Sequence, residues 1–221
     1  MNKFRGVILD IDGTLIDSND AHSRAWIDAL AEAGIQVQFE KVRALIGMGG
    51  DKLLPEVSGI EKDSELGKRL SERRSQIFKG KYLSQIKPFP QVRELITAFQ
   101  QKGIKLQIAT SAQENEVGDL LKVADALDIA DKKTTSDDAE KSKLDPDIVE
   151  AALEKIGLGP NEAVMLGDTP YDVEAAGKAG VKSFAFRCGG WWKDPDFKDA
   201  AMIFDGPADL LAHLDEYFKP A

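Results

Sequence analysis

Two carboxylates, Asp10 and Asp12, stand two residues apart and are followed at once by Gly13 and Thr14. Crowded acids repel one another unless a cation or a shared proton relieves them, and carboxylate oxygens are the donors that a hard divalent cation prefers. The stretch therefore points to a metal site. Three more groups carry chemistry: the hydroxyls of Thr110 and Ser111, the cation Lys143, and a second acidic pair, Asp168 and Asp172, within Gly167-Asp168-Thr169-Pro170-Tyr171-Asp172. Carboxylates to hold a cation, hydroxyls with backbone N–H groups to grip an anion's oxygens, and a lysine to offset charge make a phosphoryl-transfer set. Each group also has a plainer reading. Asp-Gly is a common turn signal, Thr110-Ser111 makes an ordinary helix N-cap, Asp172 suits the first turn of a helix, and Lys143 has a competitor in Lys141. Its spacing from Asp145-Pro146-Asp147 favours Lys143.

The elements that must position these groups follow from the apolar pattern. Val7-Ile8-Leu9, with Phe4 ahead of it, reads as a strand buried on both faces. Further strands are expected over 104–109, 133–136, 163–166, 182–186 and 202–204. Helices are expected over 19–33, 91–102, 114–123, 146–156, 170–178 and 207–218. Strands alternating with helices predict an α/β chain, a doubly wound Rossmann-like parallel sheet covered on both faces. Every chemistry-bearing group falls just past a strand, the edge where such sheets bind ligands. Residues 18–85 contain no convincing strand and offer helical segments near 39–46, 51–57 and 62–84. They read as an inserted all-helical cap domain, leaving 1–17 and 86–221 as the catalytic core.

Composition narrows the partners. Over 221 residues the formal net charge is −9 and the pI about 4.9, with both signs interspersed. A net negative chain gains nothing from a polyanion, so neither nucleic acid nor an anionic membrane is an expected partner. The single cysteine, Cys188, forms no internal disulfide, and the first residues lack a signal peptide's apolar stretch, so a cytoplasmic enzyme is expected. No apolar run approaches the ~18 residues of a membrane span. A monomer or small homo-oligomer is expected. Trp191-Trp192 sits in an irregular stretch over 188–199, where plain packing is the simplest role.

The sequence resembles the haloacid dehalogenase (HAD) superfamily, in its phosphoglycolate phosphatase and β-phosphoglucomutase-like subgroup with a helical cap. Asp10-Ile11-Asp12-Gly13-Thr14 matches the first motif, Thr110 the second, Lys143 the third, and Gly167-Asp168 through Asp172 the fourth. The third departs from the usual Lys-Pro-x-Pro-Asp, reading Lys143-Leu144-Asp145-Pro146-Asp147. The resemblance implies a phosphomonoester hydrolase acting on a small phosphorylated metabolite, phosphoglycolate or a sugar phosphate. Asp10 would be the nucleophile that forms an aspartyl phosphate, and Asp12 the proton carrier. Mg²⁺ would be held by Asp10, the backbone carbonyl of Asp12 and Asp168. Thr110 and Lys143 would hold the phosphoryl group, and Asp172 would orient the lysine or a metal-bound water. The dehalogenase branch fits poorly because Asp12 is retained. In the cap, His22 and Trp26 lie four apart on one helix face and match mutase positions, although Trp26 also suits the cap core. Gly47 to Lys52 corresponds to the specificity loop. With Ser111, the residues His22, Trp26, Gly49 and Gly50 are the expected substrate contacts. The alternative is a β-phosphoglucomutase-like mutase, but Gly50 stands where those enzymes carry a phosphate-binding arginine.

Overall fold

The computed structural model describes residues 4–135 and 145–218. Among the described residues six strands, β1 (Gly6–Leu9), β2 (Lys105–Ala109), β3 (Lys133–Thr134), β4 (Ala163–Gly167), β5 (Lys182–Phe186) and β6 (Met202–Phe204), form one sheet in the order β3-β2-β1-β4-β5-β6. All five pairings are parallel. β1 is central, with Leu9 opposite Ile108 on one side and Leu166 on the other. The direction of strand order reverses between β1 and β4, so the two acidic motifs emerge side by side at the switch point where such sheets bind ligands.

The helices in chain order are α1 (Asn19–Glu32), α2 (Phe39–Arg43), α3 (Gly50–Ser58), α4 (Glu65–Ile77), α5 (Val92–Gln101), α6 (Glu114–Val123), α7 (Asp147–Ile156), α8 (Pro170–Lys178), α9 (Pro207–Ala212) and α10 (Leu214–Tyr217). Successive strand residues face opposite ways, and β1 is apolar on both sides. Val7 and Leu9 join the larger core with Val92, Leu95, Ile96 and Phe99 of α5 and Val117, Leu120 and Leu121 of α6. Ile8 joins Ile148, Val149 and Ala152 of α7 and Ala175 and Ala176 of α8 on the other face. The spacing of the four α5 residues is the one-stripe pattern of a helix covering a sheet.

Between β1 and α5 the chain is helical. Trp26, Leu30, Val42, Ile46, Leu53, Leu54, Val57 and Leu70 pack as a cluster of its own. The base of this insertion is tied to the sheet, since Ala25, Ala29, Ile77 and Phe78 belong to the larger core. The expected helix over 62–84 starts at Glu65, where Ser64 Oγ accepts from Gly67 N at 3.0 Å. It then widens into a π turn over Phe78–Tyr82 and ends in a 3₁₀ turn over Leu83–Gln85. The expected helix over 207–218 divides at His213. Its Nδ1 sits 2.9 Å from Asp209 O, the carbonyl a continuing helix would bond through its backbone, while His213 N turns to Leu210 O. Of the strand expected over 133–136, β3 occupies Lys133–Thr134, and Ser136 lies outside the described residues. Among the described residues no helix is long and apolar enough to cross a membrane.

Candidate active site

β1 delivers Asp10 to the sheet edge while still paired to β4, Asp10 N donating to Leu166 O at 3.0 Å. The chain then folds back tightly, Leu15 N donating to Ile11 O at 2.8 Å and Gly13 N to Ile16 O at 2.8 Å. This brings the Thr14 hydroxyl 3.1 Å from Asp10 Oδ2 and 3.4 Å from Asp168 Oδ1, so that it donates to one of the two acids at a time. Asn19 Nδ2 donates to Asp168 Oδ2 at 2.8 Å. The Asp168 carboxylate is wedged between two glycines. A Cβ at Gly13 (φ +77°) would lie 2.1 Å from Asp168 Oδ2, and one at Gly189 would lie 1.8 Å from it. Neither position admits a side chain.

Asp172 serves two purposes. Its Oδ2 accepts from Thr169 N at 3.1 Å and from Thr169 Oγ1 at 2.7 Å, closing a capping box at the start of α8. A carboxylate oxygen from each of Asp10, Asp168 and Asp172, all buried, falls within a 4.8 Å span. Three buried acids this close carry a repulsion that a cation removes, and an all-oxygen donor set suits a hard divalent ion. These residues therefore fit a bound metal. The set differs from the expected one in that Asp172 joins it through its side chain. The Asp12 side chain instead meets Ser18 Oγ at 2.5 Å and His22 Nε2 at 2.8 Å, both on Oδ1. The carbonyl role expected of Asp12 leaves its carboxyl for this separate network.

The expected cap residues come to the same place. His22 is buried, its ring stacked on Phe78 with centroids 4.0 Å apart and planes 8° from parallel. A cavity of about 70 Å³ is bounded by Asp10, Asp12, Thr110 and Ser111 from the sheet edge and by His22, Trp26, Gly49, Gly50 and Arg74 from the insertion. Trp26 both packs in the insertion's cluster and lines this cavity. Thr110 Oγ1 accepts from Ala112 N at 3.1 Å, which fixes the hydroxyl and leaves its proton for another acceptor. Ser111 Oγ donates to Gly47 O at 3.2 Å, across to the insertion. Lys143, its competitor Lys141, and the loop that carries them lie outside the described residues.

Four positions around the site escape a reading of the sequence. Ser18 and Asn19 look like an N-cap, yet Ser18 makes no capping bond and turns to Asp12, while Asn19 turns to Asp168. Arg74 sits in the charged run Glu72-Arg73-Arg74 and Glu116 inside an acidic helix start, so both read as surface charges. They are instead a buried pair, with Arg74 Nη1 3.0 Å from both oxygens of Glu116. The closeness of Ser18 to the acidic motif, six residues after Asp12, is the one sequence signal that points to it. Cys188 borders the site, its Sγ donating to Gly13 O at 3.4 Å, and burial, aided by the Asp168 charge, pushes the thiol well above the usual range. Burial also raises the Tyr171 phenol, whose hydroxyl donates to Ala44 O at 2.6 Å.

Comparison with known proteins bears on the same residues. The family model for haloacid dehalogenase-like hydrolases matches residues 7–186. The chain belongs to that family. A phosphoglycolate phosphatase of Aquifex aeolicus is 29% identical over 222 residues, covering 96% of this chain and 98% of the relative. The chloroplastic protein SUPPRESSOR OF QUENCHING 1 of Arabidopsis thaliana is 32% identical over 197 residues; the match takes in 84% of this chain and only 18% of the plant protein. The crystal structure of a hydrolase from Pseudomonas syringae superposes with a TM-score of 0.90 at 32% identity, covering 97% of this chain and all 100% of the other. This HAD-family enzyme has its acidic motifs at the ends of β1 and β4, and both fall within the matched residues.

Proposed function

We propose that this HAD-family chain is a Mg²⁺-dependent hydrolase of small phosphomonoesters that works through an aspartyl phosphate on Asp10. The observation that carries the reading is the division of labour between two acids facing one cavity. Asp10 is locked into the carboxylate cluster with Asp168 and Asp172, whereas Asp12 turns away to Ser18 and His22.

In the first step an Asp10 carboxylate oxygen attacks phosphorus, the bond from phosphorus to the leaving oxygen breaks, and protonated Asp12 gives that oxygen its proton. In the second, the Asp12 carboxylate takes a proton from water as the water oxygen attacks the phosphorus of the aspartyl phosphate. Inorganic phosphate leaves and Asp10 is restored. His22 and Ser18 hold the Asp12 carboxyl for both transfers. Thr110 holds a phosphoryl oxygen, and Lys143 is assigned the same task from its motif position. Asp10, Asp168 and Asp172, with the Asp12 carbonyl, would hold Mg²⁺, whose bound charge offsets that of the phosphoryl group.

The insertion over residues 18–85 acts as a cap that closes on the core and excludes water during the first step. Contacts that would hold it shut include Ser111 to Gly47, Tyr171 to Ala44, and Arg43 Nη2 to Gly189 O at 2.5 Å. Gly50 supports hydrolysis over a mutase reaction. A Cβ there would lie 3.2 Å from Trp26 Cζ2, leaving little room for the mutase arginine. Because the Aquifex relative is a phosphoglycolate phosphatase, phosphoglycolate heads the substrate panel. The test is phosphate release from a panel of phosphomonoesters. Activity should require Mg²⁺, vanish with chelator, and fall by at least about 10³-fold in Asp10→Asn. Full activity in that variant refutes the proposal.

A further inference from the structure

We infer that Arg43 is a positioning residue for the acid Asp168: from the insertion it holds both neighbours of one Asp168 oxygen, and Mg²⁺ affinity depends on that grip. The inference rests on the Mg²⁺ site of the reading above. Arg43 is the last residue of α2 and is only 2% exposed. Its Nε donates to Asp20 Oδ1 at 2.7 Å, its Nη2 donates to Gly189 O at 2.5 Å, and the Trp191 ring lies over it, 5.5 Å from Cζ. One side chain thus joins the first turn of α1 to the stretch after β5.

Both partners lead to the same atom. Asp20 follows Asn19, whose Nδ2 donates to Asp168 Oδ2 at 2.8 Å. Gly189 is the wall against that oxygen, since a Cβ there would lie 1.8 Å from it. With Oδ2 fixed, Oδ1 is left on the side of Asp10, where Thr14 Oγ1 lies 3.4 Å from it and 3.1 Å from Asp10 Oδ2. A carboxylate held by one oxygen presents the other in a set direction, and groups that orient metal ligands in this way govern affinity for the ion.

Stability does not account for Arg43. Taking a guanidinium out of water is costly unless well-placed partners offset it. The Asp20 side chain is 61% exposed, so this ion pair is screened by water and contributes little. Nη1 adds a further cost, being buried with no hydrogen-bond partner among the described residues. A charge so poorly compensated, at the joint between insertion and core, is placed for what it holds. Trp191 gains a task from the same geometry, because a hydrogen bond shielded from water by the ring is stronger than an exposed one.

The test titrates the metal-free protein with Mg²⁺ alone and reads the heat of binding for the native chain, Arg43→Lys and Asp20→Ala. Lysine keeps the charge but has one nitrogen in place of the two that reach Asp20 and Gly189. Asp20→Ala changes an exposed side chain and releases the same grip from its other end, so it decides the matter even if Arg43→Lys does not fold. Mg²⁺ binding should weaken by about 10- to 100-fold in Arg43→Lys and by at least about 5-fold in Asp20→Ala. Phosphate release by Arg43→Lys should need more Mg²⁺ in the same proportion, return towards the native kcat once it is supplied, and keep a substrate KM within about 3-fold of native. A general loss of structure would not be restored by metal. Folded variants that bind Mg²⁺ within about 2-fold of the native chain, a lost activity that Mg²⁺ does not restore, or a native chain that binds no Mg²⁺ overturns the inference. Mg²⁺ bound by the native chain with no phosphate released from any phosphomonoester refutes the phosphatase reading instead.

Discussion

At the scale of single residues, the site rests on two acids of the same type given different surroundings. Asp10 shares a hydrogen-bonding hydroxyl, Thr14, with Asp168, whereas Asp12 is held by Ser18 and His22. Removing the imidazole should therefore disturb proton transfer more than substrate binding. We expect His22→Ala to lower kcat by about 10- to 100-fold with a smaller change in KM, within the range that positioned proton transfer contributes. An unchanged kcat in steady-state assays would show that Asp12 does not depend on His22. The acids, Thr110 and the His22–Trp26 face were all legible in the sequence, because each motif fixes residue type at a strand end or a helical spacing. The partners were not. Whether Ser18 caps its helix or reaches Asp12, and whether Arg74 faces water or Glu116, depends on elements far apart in the chain. Asp172 was legible as a cap and as a site acid, and it is both.

At the scale of elements, strands and helices were legible where apolar periodicity decides them. Departures arise where a side chain competes with the backbone. His213 ends α9 by bonding Asp209 O, and the π turn after α4 puts Phe78 under the His22 ring, neither of which a hydrophobic pattern encodes. One contact between elements carries a pH signature. Asp128, after α6, bonds Arg93 and Gln100 of α5, and the Arg93 hydrogen bond, with Gln100 aiding, lowers its carboxyl to about 2. A depressed folded-state pKa means that the unfolded chain binds the proton first. The contribution is present above the unfolded value near 4 and is lost as pH falls towards about 2. Being well exposed, the group should contribute less than about 1 kcal/mol. Asp128→Asn should lower stability slightly at pH 7 and not at pH 2, read by urea denaturation at both values. An equal loss at both would assign the effect to shape instead of charge.

At the scale of the whole molecule, the end of the chain closes the core. Phe184 of β5 makes edge-on contacts with Phe4, Phe204, Tyr217 and Phe218, at centroid distances between 5.1 and 6.5 Å. Phe184→Ala should cost about 3–5 kcal/mol, seen as a lower thermal midpoint, because a ring that is 2% exposed leaves a cavity. The parallel sheet and the helical insertion were legible from alternation and from the missing strands over 18–85. The split into core and cap was less so. Ala25, Ala29, Ile77 and Phe78 pack with the sheet, so the insertion's base shares the larger core. The candidate site is also a property of the whole, since residues just past β1 and β2 and residues of the insertion line one cavity, while Asp168 and Asp172 after β4 cluster with Asp10. The most direct measurement traps its covalent state. Enzyme mixed with phosphoglycolate and Mg²⁺ is quenched and treated with borohydride, which reduces an acyl phosphate to an alcohol, and the peptides are then weighed by mass spectrometry. The account predicts homoserine in place of Asp10. Aspartate retained at position 10 while phosphate is released at full rate, or homoserine at another acid, would contradict it.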